Sequence, residues 1–262
     1  MTYPAHLYVA LHSGNPGDVD FYRQRCAGAA SVLELGCGDA RVLAALAEPD
    51  RELVGVDLDD GLLALARARL QALPPAQAER AELVRADMGA ELELGRRFDR
   101  VIIPFGGLYC LLEPAAVDVL LANVARHLGP QGRLILDVWA ADGFHAEAEP
   151  EDLDPGWLEH VGAVEVDEGE EESVRYEILE RSSWDKAQQR LDVTYLHVPV
   201  GGEEAIEGEL PQRYLLSEQL GEALSRAGLE LESLLGDFEG AAYDEASKLM
   251  IVVARRAGEG DS

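Results

Sequence analysis

Cysteine is scarce in this chain. The three present, Cys26, Cys37 and Cys110, are odd in number and lack the paired spacing of a zinc site or a disulfide framework, so they read as reduced thiols and no metal is expected. Basic residues are scarce too: 22 Lys and Arg against 50 Asp and Glu leave a formal charge of −28. Such a surface repels a phosphate backbone, whose binding depends on Lys and Arg contacts, which argues against a nucleic-acid substrate. No apolar run reaches the roughly 20 residues that cross a bilayer, and the N-terminal stretch lacks a basic segment followed by an apolar one. A cytoplasmic protein without membrane attachment is expected, and its 262 residues are enough to bury a full core.

The most informative stretch that is present is Val32–Val42, Val-Leu-Glu-Leu-Gly-Cys-Gly-Asp-Ala-Arg-Val. Apolar residues lead into a double-glycine turn, and Val42, Leu43, Ala45 and Leu46 follow at helical spacing: a buried strand, a tight turn and a helix start. A dinucleotide site would want Gly-x-Gly-x-x-Gly, whose third glycine lets helix and strand approach beside a pyrophosphate; here that position is Arg41. Glu34, two residues before Gly36, would repel a pyrophosphate but attract an ammonium or sulfonium group. The pattern Glu34-x-Gly36-x-Gly38-x-Ala40 resembles motif I of the class I S-adenosylmethionine (SAM) dependent methyltransferases. Ala40 stands where that family usually has glycine, and one extra methyl is expected to be tolerated there at a helical position.

Further strands follow in order. Glu52–Asp57 ends in Asp57, roughly twenty residues beyond the glycines, the interval at which an acid bonds ribose hydroxyls in nucleoside-binding folds. Asp59 and Asp60 are available to cap the helix expected over 61–73. Glu82–Met88 leaves Asp87 at a strand end. Phe98–Phe105 is an apolar run of the kind found in the middle of a parallel sheet and opens at Pro104 into Gly106-Gly107-Leu108-Tyr109. Pro114 starts a helix that Gly129-Pro130 stops, and Arg133–Trp139 is a fifth strand. Strands alternating with helices imply right-handed crossovers and a parallel sheet that binds its ligand beyond the strands' carboxyl ends. Glu34, Asp57, Asp87 and Pro104 all lie at such ends.

After residue 141 the pattern changes. Residues 142–172 read as an acidic loop; two alternating segments around Val174–Ile178 and Leu191–Tyr195 read as an antiparallel hairpin, with a third strand through 212–215. Ser217 is expected to N-cap a last helix, followed by a terminal strand pair over 229–236 and 248–255. The expected fold is therefore α/β: a doubly wound, mostly parallel, Rossmann-like seven-stranded sheet with an antiparallel β insertion after strand 5. The expected organisation is an N-terminal lid or helical segment over 1–30, a core over 31–141, a covering insertion over 142–216, elements completing the core over 217–257, and a tail over 258–262. The insertion is also a surface through which two copies could pair as a homodimer.

Residues 7–255 as a whole resemble the small-molecule class I methyltransferases, most closely those that methylate amino groups of nucleotide-linked sugars. Shared features are the Tyr8–His12 segment, Tyr22, motif I, the hairpin insertion and Arg213-Tyr214 before the Ser217 helix. The resemblance implies SAM as cofactor, with Asp87 accepting from the adenine amino group, the Met88 backbone at the ring, and Leu58 and Pro104 bordering the donor beside Glu34, Gly36, Gly38 and Asp57. It also implies a small-molecule acceptor, methylated on a nitrogen or oxygen nucleophile by in-line displacement, and a histidine of those sugar enzymes is matched here by Cys110, which reads as a buried structural thiol. An attacking amine must lose a proton, so Tyr22, Tyr109 and His12 are the catalytic candidates, and Tyr8, Arg213 and Tyr214 those for contact with the acceptor. Two other classes use a turn of this kind: a non-catalytic SAM-binding protein, and a nicotinamide-dependent oxidoreductase, which Arg41 and Glu34 disfavour.

Overall fold

The computed structural model of the chain describes residues 3–150, 156–167, 173–202 and 204–258. Part of the acidic stretch after residue 150, and the tail beyond Gly258, lie outside the described residues. In chain order the elements are α1 (Ala5–Leu11), α2 (Asp18–Arg25), β1 (Ser31–Leu35), α3 (Arg41–Ala45), β2 (Glu52–Asp57), α4 (Asp60–Gln71), α5 (Pro75–Ala78), β3 (Ala81–Arg85), β4 (Phe98–Ile103), a 3₁₀ turn (Gly107–Cys110), α6 (Pro114–His127) and β5 (Leu128–Trp139). They continue with α7 (Asp142–Glu147), β6 (Glu159–Asp167), β7 (Ser173–Asp185), β8 (Arg190–Pro199), β9 (Ile206–Arg213), α8 (Ser217–Arg226), β10 (Leu229–Leu235) and β11 (Leu249–Arg256). The chain divides into two units: Met1–Gly14 with His145–Tyr214, and Asn15–Phe144 with Leu215–Ser262.

The larger unit carries a seven-stranded sheet of order β10-β11-β5-β4-β1-β2-β3. β1 to β5 pair in parallel, and β11 runs antiparallel between β5 and β10. β1 sits between β2 and β4, so the chain leaves β1 on one side and returns on the other; the order switches beside motif I. The central strands read as nearly continuous apolar runs because both faces are covered: Val32, Leu33, Leu35, Val54, Val56, Val101, Ile102 and Ile103 are all buried. The buried Arg51 donates to the carbonyls of Cys26, Leu46 and Ala29, which ties the ends of α2 and α3 to the start of β1.

Two boundaries differ from expectation for local reasons. α6 passes into β5 at Leu128, which pairs with Phe98, so Gly129-Pro130 lie inside an irregular strand instead of in a loop. Ser217 is the first helical residue of α8 and not its cap; its hydroxyl donates to Asp142 Oδ1 (3.0 Å), while Gln219 Oε1 accepts from Leu216 N. Asp18 opens α2 with its carboxylate turned to Arg41, leaving Gly17 in the cap position. Residues 15–30, grouped above with the N-terminal segment, lie in the unit that holds the sheet.

The smaller unit is a four-stranded antiparallel sheet, β6-β7-β8-β9. β6 lies in the stretch read as loop: the small or apolar residues Gly162, Val164 and Val166 alternate inward, but the flanking acids hide the pattern. β9 begins at Ile206, earlier than expected, because an edge strand accommodates Pro211 without losing an inward-facing ladder bond. The aromatic N-terminus belongs to this unit. Tyr3 and Leu7 are buried with Val166, Tyr176 and Ile178 in one cluster, and Tyr8 packs against it. A Cβ added at Gly208 would lie 2.4 Å from the Tyr3 ring. Gly208→Ala is therefore expected to destabilise this unit by roughly 1–3 kcal/mol, the scale of overpacking; native-state proteolysis should cut residues 3–12 faster, and an unchanged cleavage rate would refute this packing.

Candidate active site

The glycine turn after β1 is held from β2. Val56 O accepts from both Gly36 N (2.8 Å) and Cys37 N (2.9 Å), and Asp57 Oδ2 accepts from Gly38 N (2.8 Å). Asp57 Oδ1 takes Asp59 N (2.9 Å), and Asp59 caps α4 by accepting from Leu62 N (3.0 Å), so the cap and the turn-holding acid are different residues. Gly36, Gly38 and Ala40 have φ of 73°, 53° and 60°. The left-handed region is open to glycine and costs other L-residues about 1–2 kcal/mol. Ala40 is thus not in a helical position as expected: it is a left-handed cap, which accounts for the usual glycine there. A Cβ on Gly38 would meet nothing within 4 Å, and one on Gly36 would meet only Met88, at 3.6 Å. The N–H groups of Gly36, Cys37 and Gly38 are engaged by Val56 and Asp57, and the space beside the two glycines is open to a ligand.

Acids gather at this edge. Glu34 is 3% exposed, and its Oε2 has no hydrogen-bond partner among the described residues. Burial holds its carboxyl pKa well above the usual range, against the pull of Arg41 and of a bond from the Leu43 backbone. Burial also raises Asp57, opposed by the bonds from Asp59 and Gly38. The exposed Asp87 accepts from Gly89 N (2.8 Å) at the end of β3, next to the half-buried Met88. Leu58 is 55% exposed and Pro104 is buried at the end of β4. The pairing of Glu34 with Gly55 and Ile102, and of Asp57 with Arg85, puts these residues along one edge of neighbouring strands.

One member of this edge was not anticipated. Asp137, at the end of β5, is 1% exposed; its Oδ1 accepts from Tyr22 Oη (2.6 Å) and from Phe105 N (3.0 Å). Burial raises its pKa to about 6, opposed by those two bonds. The sequence signal was available, since Asp137 closes the apolar run Leu134-Ile135-Leu136 just as Asp57 closes its own strand.

The aromatic candidates are placed differently from one another. Tyr22 is fully buried, donates to Asp137 and has its pKa pushed well above normal by burial. Tyr109 is fully buried and donates to Leu215 O (2.9 Å) and Trp139 O (3.2 Å). Hydroxyls that donate from closed positions hold structure; they are poorly placed to take a proton from an amine. In the smaller unit, the His12 ring lies tilted beside Tyr8 (centroids 4.5 Å apart) and edge-on to Tyr195, with Nε2 buried and unpartnered among the described residues. Burial and then His197 lower its pKa to about 4, so it is neutral and weakly basic. Tyr214 is fully buried, accepts from Trp184 Nε1 (3.0 Å) and bonds His145 Nδ1 (2.8 Å), so it belongs to that unit's interior. Arg213 is half-buried and makes no ion pair among the described residues. Cys110, read as a buried thiol, is exposed at the end of the 3₁₀ turn. No helix among the described residues is long and apolar enough to cross a membrane.

A family model described as a methyltransferase domain matches residues 32–132, from β1 into β5. A dTDP-3-amino-3,6-dideoxy-alpha-D-glucopyranose N,N-dimethyltransferase of Streptomyces fradiae is 29% identical over 243 residues, covering 88% of this chain and 86% of that protein. The solved CcbJ methyltransferase of Streptomyces caelestis superposes with a TM-score of 0.75 at 26% identity, covering 94% of this chain and 98% of that one. Residues 32–132 thus carry a methyltransferase domain, and the protein is a SAM-dependent methyltransferase with the class I fold. The fold of the methyltransferase is shared with the SAM-bound amino pentose methyltransferase CalS10 of Micromonospora echinaspora (TM-score 0.65, 24% identity, 94% of each chain covered).

Two outcomes follow for the methyltransferase. Gly38→Val fills the open side of the turn, so calorimetry should detect no SAM binding, while the far-ultraviolet spectrum stays native and stability drops by about 1–2 kcal/mol for the left-handed backbone; retained binding would mean that this side of the turn does not face the donor. The second concerns Asp137, whose carboxyl keeps its proton up to about pH 6 when folded but loses it near 3.9 when unfolded. Folding then takes up a proton between those values, and the Asp137 contribution to stability is full below about pH 4 and lost as pH rises through about 6, by on the order of 2–3 kcal/mol. Asp137→Asn removes that loss, so the variant should gain on wild type from about pH 4 to about pH 6.5 in denaturant unfolding; a pH-independent gap would contradict the buried, proton-holding carboxyl.

Proposed function

We propose that the methyltransferase transfers the methyl group of SAM to an amino group of a small molecule, a sugar carried on a nucleoside diphosphate. The observation that supports this most is the extent of the likeness to the Streptomyces fradiae enzyme, a dTDP-amino-sugar N,N-dimethyltransferase: it runs over 88% of the chain, beyond the matched domain and across the β insertion. The donor edge fits SAM on its own terms. Asp57 accepts from Gly38 N through Oδ2 and from Asp59 N through Oδ1, and the carboxylate's four lone-pair sites leave room for a ribose hydroxyl. The unpartnered Oε2 of the Glu34 carboxyl suits a cationic group, which would favour the ionised form and relieve the orphaned oxygen. Asp87 is exposed to accept from an adenine amino group, with the Met88 backbone beside it, and Leu58 and Pro104 supply apolar borders.

SAM supplies an electrophilic methyl group on a sulfonium centre, poised for in-line displacement. The chain's part is to bind the donor against the glycine turn, orient the amine and exclude water, and positioning of this kind reaches effective molarities of roughly 10⁵–10⁸ M. A dedicated base is not required when the amine arrives neutral. Tyr22 and Tyr109 act through the structure they hold, and a neutral His12 is a weak proton acceptor. Tyr8 and Arg213 are the acceptor-contacting residues in this reading, with Arg213 meeting the acceptor's phosphate charge through a guanidinium that no carboxylate neutralises among the described residues.

Methyl transfer from labelled SAM to a dTDP-linked amino sugar tests the reading, against the same sugar without its nucleotide and against a hydroxyl-bearing analogue. Label should enter the nucleotide-linked amine, and label entering only the hydroxyl analogue would overturn amine methylation. Arg213→Gln should raise KM for the nucleotide-linked acceptor roughly tenfold, the effect of losing one charge-assisted contact, with kcat little changed; an unchanged KM would remove Arg213 from the acceptor site.

A further inference from the structure

We infer that Asp137 is a positioning residue for the methyl donor, because it locks the backbone after Pro104 to α2 and to β5 in the conformation that borders the donor. The inference rests on the proposed place of Pro104 beside SAM. Three bonds meet at this one residue: Tyr22 Oη donates to Oδ1 at 2.6 Å, Phe105 N donates to the same oxygen at 3.0 Å, and Gly106 N donates to the Asp137 main-chain carbonyl at 2.9 Å. They meet where the backbone is least willing to stay. Phe105 and Gly106 have φ of 52° and 72°, two left-handed residues in succession, and the first carries a bulky side chain for which that region is strained. Strain of this kind persists only where the surroundings over-determine it.

The rest of the loop is built on that bend. Gly107 N donates to Pro104 O (3.1 Å), Tyr109 N to Gly106 O (2.8 Å), and the 3₁₀ turn that follows ends at Cys110. Tyr109 then anchors the far end through Leu215 O and Trp139 O. The Tyr22 bond brings α2 into the same junction. The charged groups around Asp137 besides Tyr22 are Asp18 of α2 and Arg41, and these two pair with each other at 2.9 and 2.5 Å. Asp137 is therefore free to serve the two donors that reach Oδ1. Nothing else among the described residues gives the Phe105 N–H a partner.

Asp137→Ala removes the acceptor and Asp137→Asn keeps an oxygen in the same place, so the pair separates positioning from bulk. Two readouts apply to each variant: the SAM dissociation constant by calorimetry, and hydrogen–deuterium exchange of the peptide spanning 104–111 in the free protein. With Asp137→Ala, exchange at Phe105 and Gly106 should speed up and SAM bind more weakly, each by roughly tenfold. Asp137→Asn should restore both to within about threefold, a rescue that a general packing defect would not show. If Asp137→Ala does not fold, Tyr22→Phe removes only one bond into Oδ1 and should weaken SAM by about threefold to fivefold. The inference is overturned if a cooperatively folded Asp137→Ala, or Tyr22→Phe in its stead, keeps wild-type exchange and affinity, or if affinity falls while the loop exchanges as before. Failure of the wild-type protein to bind SAM would overturn the donor assignment instead, and exchange at Phe105 and Gly106 would still decide whether Asp137 holds the loop.

Discussion

The last two residues of β2 hold the turn that ends β1. Val56 offers its carbonyl to Gly36 and Cys37, and Asp57 its carboxylate to Gly38. This grip exists because β1 and β2 run parallel in fixed register, with Leu35 opposite Val56. It keeps left-handed backbone at Gly36, Gly38 and Ala40 and leaves the outer side of the turn bare. A parallel sheet buried on both faces provides the rigidity, and the switch in strand order beside β1 provides the space. The position of the acidic edge depends on this arrangement.

Electrostatics at that edge follow from the same burial. Glu34 and Asp137 sit at strand ends inside the protein, and both hold their protons above the ordinary carboxylate range because ionisation there is poorly solvated. An edge of this kind is a poor host for a pyrophosphate, the ligand of the nicotinamide enzymes with which the turn could be confused. It suits a cation, which would supply from the ligand side the charge that the protein withholds. The few guanidiniums near the turn are already committed: Arg41 to Asp18 and Arg69 to Asp39.

Much of this was legible in the chain, and what was not has identifiable causes. The strands of the large sheet were readable because apolar runs ended in glycine or acid, and the elements carrying Glu34, Asp57, Asp87 and Pro104 fell where the runs stopped. Asp137 obeyed the same rule and was overlooked because its strand was read only as a continuation of the sheet. Ala40 could not be understood without φ, since a methyl is harmless in a helix and strained in the left-handed region. β6 was lost because acids flank a half-buried edge strand. Tyr22 and Tyr109 look reactive and Tyr214 substrate-facing on paper; their burial and hydroxyl partners are reported by no sequence pattern.

The central claim is that Asp57 faces two ways, holding the glycine turn through Oδ2 while receiving the donor's ribose. A crystal structure of the methyltransferase with S-adenosylhomocysteine tests this most directly. The account predicts the ribose hydroxyls within hydrogen-bond distance of the Asp57 carboxylate, with the Gly38 N–H bond to Oδ2 still in place. A nucleoside bound elsewhere, or an Asp57 that must release Gly38 to reach it, would contradict the account.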